Sequence, residues 1–331
     1  MRRGLMVMAS VCLLVAQACG DDDEPAADGG MDSSGGKGGS GGKGGKGGSG
    51  GKGGSGGATA GSGGGKAGSG GSGALQAVTI RFKAKLGDQD LECGKVYAGL
   101  GKTKLAATPQ DFRFFVEQVH LITKSGDEVP MQLDERAPFQ TKDVALLDFT
   151  DRKGRCTVGS ATVNTTITGK AREGEYDGIV FVNGVPESLN HGNLVEAKPP
   201  LQDASTNWGW LSGYRFIMSG LILDPVPDAE TDGGRVGTGL NLVHVGSSGC
   251  TATADSFSCT RSNRNRVELK GFDPAKGTIV ADLAKVFADV DLSEELECHG
   301  PGPECGPSYN ALGVSMSDGS ALDTQSVFRV E

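Results

Sequence analysis

The chain has 331 residues, 37% of them hydrophobic and 22% charged, with a formal net charge of −9 at pH 7. An acidic balance, with no basic patch in the part able to fold, excludes a nucleic-acid footprint, which needs clustered Lys and Arg. Of the 56 glycines, 27 crowd into residues 20–73, so whole-chain composition misdescribes the remainder.

Arg2 and Arg3 precede a short apolar run from Leu5 to Val15. That run is too short to span a bilayer and reads as a signal-peptide core. It ends in Val15-Ala16-Gln17-Ala18-Cys19, a relaxed form of the bacterial lipobox. Residues 1–19 are therefore expected to be a lipoprotein signal peptide, with Cys19 lipidated as the new N-terminus. The alternative is ordinary secretory cleavage with Cys19 incidental. Acyl chains on Cys19 would hold the protein at the cell envelope without a membrane-spanning helix. Residues 20–74 are almost all Gly, Ser, Ala, Asp and Lys, a composition that buries nothing and reads as a disordered tether. A coil of that length spans roughly 40 Å end to end.

From residue 75 to 331 the pattern changes to short alternating segments between polar turns. Val78, Ile80, Phe82 and Ala84 alternate with Thr79, Arg81 and Lys83, as a half-buried strand does. Phe112, Phe114 and Val116 repeat the pattern; Val119 and Leu121 follow out of phase, which predicts a β-bulge. Further strands are expected at 144–149, 161–168, 178–182, 210–218, 240–245, 266–269 and 278–280, and one helix over Asp282 to Phe287. Many short strands between Gly, Pro and Asn turns predict an all-β, β-sandwich-like domain over 75–331.

Cys12 lies in the signal core and Cys19 in the lipobox, which leaves Cys93, Cys156, Cys250, Cys259, Cys298 and Cys305. An even number in an exported chain predicts disulfides. Short separations favour Cys250–Cys259 and Cys298–Cys305, with Cys93–Cys156 by elimination, although six cysteines allow fifteen connectivities. A four-Cys zinc site is the competing reading. The last four cysteines are spaced C-x8-C and C-x6-C, wider than zinc pairs usually are.

Four histidines remain as candidate ligands: His120, His191, His244 and His299. Two imidazoles fixed by a sheet could converge on a soft or borderline metal. Both tryptophans, Trp208 and Trp210, fall two apart in Asn207 to Phe216. A strand there would point both at one face, as part of the core or as a sugar-stacking pair. No nucleophile elbow, phosphate loop, zincin helix or haem-attachment motif occurs, so an enzyme is not expected.

The order of these segments resembles the MbnP family, the four-Cys partner of a metallo-mystery pair. The matching stretches are Asp111-Phe112-Arg113-Phe114, VALLDF from Val144, GVPESLNH from Gly184, WGWLSGYRF from Trp208, HVGSSGC from His244, and then Cys259, Cys298 and Cys305. They cover about Val78 to Val330. The resemblance implies an all-β, periplasmic or surface copper binder. It also implies a partner, a dihaem c-type protein of the MbnH or MauG type, which oxidises a tryptophan to kynurenine. By position, His191 and His244 would be the metal ligands and Trp208 or Trp210 the oxidised residue. The family often has Cys-Met-Ser where this chain has Cys298-His299-Gly300, so His299 is either a substitute ligand or a loop residue. The expectation is a non-enzymatic copper-binding lipoprotein; the rival is a metal-free module in which the tryptophans stack on a sugar.

Overall fold

In the computed structural model of the chain, the described residues are 73–226, 239–253 and 256–331. The expected signal peptide, Cys19 and positions 20–72 of the expected tether lie outside them. Among the described residues, no helix is long and apolar enough to cross a membrane.

Two sheets carry the fold. The first runs in the order Phe328–Val330, Thr278–Asp282, Leu75–Leu86, Thr166–Arg172 and Gln132–Leu133, with Gln89–Asp90 folded back on Leu75–Leu86. The second is built around the long strand Leu105–Thr123, in the order Asn265–Lys270, Tyr176–Asn183, Leu105–Thr123, Ile217–Leu223, Leu240–Val245 and Leu296–Cys298. A separate hairpin, Ser248–Ala252 with Phe257–Arg261, belongs to neither.

Aromatic rings lock the two sheets face to face. Phe82 of the first sheet meets Phe114 and Phe181 of the second edge-on, at centroid distances of 6.0 and 5.8 Å. Phe328 closes the other side against the same two rings at 5.3 and 5.5 Å. Such pairs add about 0.5–1.5 kcal/mol each to the area they bury. The alternating Val78, Ile80, Phe82 and Ala84 are all buried. The phase change after Val116 is a bulge. Gln118 takes φ +49°, and pairing with Tyr176–Asn183 slips between Glu117 and His120.

The predicted helix forms as Leu283–Val286, capped by the Asp282 carboxylate, which accepts from the Ala284 N–H. Two more short helices, Glu187–Asn190 and Gly306–Leu312, carried no periodic signal. Two predicted strands need correction. The segment expected at 161–168 is a strand only from Thr166, and it runs on to Arg172. The run from Trp210 to Met218 alternates, yet the strand begins only at Ile217. Gly209 and Gly213 take φ of +114° and +73°, a left-handed backbone that breaks a strand. The cysteines form Cys93–Cys156, Cys250–Cys259 and Cys298–Cys305.

Candidate metal centre

The loop before Ile217 separates the two tryptophans. It is closed by Trp208 N–H donating to Gly213 O and Gly213 N–H donating to Gly209 O. Trp208 turns inward, whereas Trp210 is 59% exposed, so the pair does not share a face. Gly246 makes room for the inward ring: a Cβ there would lie 2.5 Å from Cζ3 of Trp208. The Arg215 guanidinium covers the Trp208 ring at 5.6 Å, a cation–π contact that fixes its position.

His244 stands on Leu240–Val245, paired with Met218 of the neighbouring strand, and is buried. On the other side, Leu296–Cys298 adds in parallel and carries His299 just beyond its end, where the Cys298–Cys305 bond ties down the turn. This brings Nδ1 of His299 to 3.3 Å from Nδ1 of His244. The two imidazoles are 5.0 Å apart by centroid, and Trp208 lies 6.5 Å from one and 6.2 Å from the other. His299 faces solvent across a cavity of about 430 Å³, whose lining includes Trp208, Ser212, Ser247 and Cys250.

Burial pushes the His244 imidazole down to about 3, assisted by the positive charges of Arg215, His299 and Arg113. Arg113 is itself buried and holds Asp111 through two hydrogen bonds of 2.8 Å. Hence His244 is neutral across the ordinary pH range and keeps a nitrogen lone pair for a metal. His244 and His299 would together hold a metal in place of the proton that their Nδ1 atoms can share. Their donor chemistry fits copper: two imidazole nitrogens held side by side.

His191 lies in a different cluster, and it shares no ring partner with His244. It ends Glu187–Asn190, its ring stacked on Phe257 at 4.6 Å and 5°. Phe257 in turn meets Trp210 edge-on at 4.7 Å. Nδ1 of His191 is 3.1 Å from Trp210 O, and Nε2 is 3.1 Å from Asn190 Nδ2 and 3.4 Å from Cys259 Sγ. A carbonyl can only accept, so the proton sits on Nδ1 and Nε2 carries the lone pair. Donor atoms of His191, Cys250 and Cys259 all lie within 4.8 Å of one another. The Asn190 amide links this cluster to the cavity, donating also to Ser247 Oγ at 3.4 Å. His120 is elsewhere, its Nδ1 2.9 Å from Gln118 O.

Two participants were invisible as such in the sequence. Arg215 is one residue in an aromatic motif, and nothing in that motif marks it as the lid on Trp208. Arg113 reads as a polar residue between two core phenylalanines, the usual sign of an outward-facing side chain.

Comparison with known proteins gives one consistent result. The family model described as MbnP matches residues 75–304. Among solved structures, MbnP from Methylosinus trichosporium is similar, with a TM-score of 0.68 and 28% identity, over 78% of this chain and 98% of that one. No curated protein sequence matches.

Proposed function

The chain belongs to the MbnP family, and from that premise we propose that it is a copper-binding protein of the cell envelope, without enzymatic activity, anchored through Cys19. Its copper nitrogens are His244 and His299, and Trp208 is the residue open to conversion to kynurenine by a dihaem c-type partner. One observation carries the reading: the two imidazole nitrogens 3.3 Å apart, beside Trp208 on an open cavity. Trp210 packs instead on Phe257, which favours Trp208 for the modification.

Indole nitrogen has no free lone pair, so unmodified Trp208 is not a ligand. Kynurenine formation opens the indole 2,3 bond. Two peroxide molecules give one oxygen atom each and leave as water; hydrolysis of the resulting formamide then releases formate. An aryl amine and a ketone remain, both able to face the cavity. His244 and His299 would hold copper through their imidazole lone pairs, and His244 would supply its own without losing a proton to solvent.

A competition titration of the oxidised, folded protein against a copper chelator tests this. Wild type is expected to bind, and His244→Ala and His299→Ala to lose binding. Co-expression with the dihaem partner should shift the mass of the Trp208 peptide to that of kynurenine and raise affinity. Wild type that binds no copper in either form would sink the proposal in favour of a sugar-stacking module.

A further inference from the structure

We propose that the Cys250–Cys259 disulfide is a redox switch over a second metal site, in which the two freed thiolates and Nε2 of His191 take a soft ion such as copper(I). This site goes beyond the histidine pair and does not depend on it.

Three separate observations support the switch. The first is the donor set: one imidazole and two sulfurs already lie within 4.8 Å of one another. Once the sulfur–sulfur bond is reduced, side-chain rotation alone opens that triangle around an ion; thiolates select soft cations, and imidazole suits copper. The second is the tautomer of His191. Because Nδ1–H donates to Trp210 O, the lone pair is on Nε2, which accepts from the Asn190 amide at 3.1 Å and stands 3.4 Å from the sulfur of Cys259. Stacking on Phe257 keeps the ring in that orientation.

The third is access. Cys250 and Cys259 are both only partly buried, whereas Cys156, Cys298 and Cys305 are no more than 1% exposed. Cys250 also lines the open cavity. Cys93 is partly buried too, but its partner Cys156 is not, so this is the one bridge among the described residues that a reductant can approach at both cysteines. The hairpin does not depend on the bridge for its shape. Backbone pairing sets Cys250 opposite Cys259 and Thr251 opposite Ser258, and Arg261 ties the second strand to the carbonyls of Ser315, Met316 and Ser317.

The chemistry balances with a dithiol reductant, of the class that thioredoxin-like proteins supply. Its thiolate attacks one sulfur, giving a mixed disulfide and releasing the other cysteine as a thiolate. The second thiol of the reductant resolves the mixed disulfide and leaves as an oxidised pair, so two electrons pass to the protein. Metal binding then displaces the protons from both cysteine thiols.

The test uses the oxidised protein and the same protein reduced with a water-soluble phosphine, desalted without air. Alkylation and peptide mass should find Cys250 and Cys259 labelled before any other cysteine. Titration with copper(I), or with cadmium(II) as a spectroscopic probe, should produce a sulfur-to-metal absorption band only in the reduced form. Reoxidation should expel the ion. The band should vanish in the Cys250→Ser, Cys259→Ser double variant, and a competition assay should show weaker binding by His191→Ala. His244→Ala should keep the band, which separates failure here from failure of the histidine-pair reading. A reduced protein with both thiols labelled but no thiolate band would overturn the proposal. Earlier labelling of Cys93, Cys298 or Cys305 would overturn the access argument, and unchanged affinity in His191→Ala would remove His191 from the site.

Discussion

His244 and His191 reach the same end of the molecule by different means. His244 hangs from a strand flanked on both sides, by Ile217–Leu223 and by Leu296–Cys298. Two strands across the same sheet, beyond Met218, is the buried Asp111–Arg113 ion pair. His191 ends a four-residue helix and leans on a hairpin that belongs to neither main sheet. A side chain set by a sheet ladder has one position, because moving it would break many hydrogen bonds at once. A side chain set against a hairpin and its disulfide has a neighbourhood that one bond can change. The first arrangement suits a permanent nitrogen pair, the second a conditional sulfur site.

The largest expected effect strikes the ladder side. Asp111→Ala leaves the Arg113 guanidinium buried, with only Ser205 Oγ at 2.9 Å and Asp203 at 3.6 Å as partners. Removing one half of a buried pair costs about 3–5 kcal/mol. A lowered urea midpoint is expected, together with weaker copper binding at His244. A variant with the wild-type midpoint would show that the ladder side does not depend on this charge.

On the hairpin side, the Cys250→Ser, Cys259→Ser double variant should cost about 2–3 kcal/mol by loop-closure entropy. Copper binding at His244 and His299 should survive it, because the hairpin lies outside both main sheets. Combined with Asp111→Ala, the two losses should add. A strong departure from additivity in denaturation would mean that the two clusters are one structural unit.

Much of the ladder side was legible in the sequence. Val78 to Ala84 and Leu240 to Val245 were found because a sheet face against a core forces a period of two. The three disulfides were legible because six cysteines with two close pairs leave one pair over, Cys93 with Cys156. The hairpin side was harder. The Trp208–Phe216 motif alternates like a strand, but alternation records side-chain polarity and is blind to the left-handed backbone at Gly209 and Gly213. His299 joined His244 through a parallel pairing of residues more than fifty positions apart, and no local pattern encodes such a register. His191 was expected as a ligand with His244 on family resemblance alone, and no sequence pattern announces its contacts with Phe257 and the Cys259 sulfur.

A smaller perturbation falls between the two sides. Gly246→Ala adds a methyl group into the space of the Trp208 ring. Overpacking of this kind costs about 1–3 kcal/mol. The tryptophan emission should shift as Trp208 is displaced, with copper affinity falling in step. Unchanged emission would mean that the loop yields freely, contrary to the hydrogen bonds that close it.

The smallest effect at neutral pH grows as the medium becomes acidic. In the folded, copper-free protein His244 titrates at about 3, against an ordinary value of 6.5. Between those values the unfolded chain binds a proton that the folded chain refuses, so falling pH favours unfolding. The loss therefore begins near pH 6.5 and continues until His244 protonates in the folded state. Several buried carboxyls work the other way: burial raises Asp111, Glu117 and Asp148, so they favour the folded state as pH falls. The total curve mixes both signs, and the useful quantity is the difference between wild type and His244→Gln. That difference should be flat above pH 7 and should close steadily in favour of the variant below 6.5, as measured by urea midpoints at stepped pH. A difference independent of pH would mean that His244 takes up its proton in the folded state as readily as in the unfolded one, and the neutral imidazole on which copper binding by this pair relies would be lost with it.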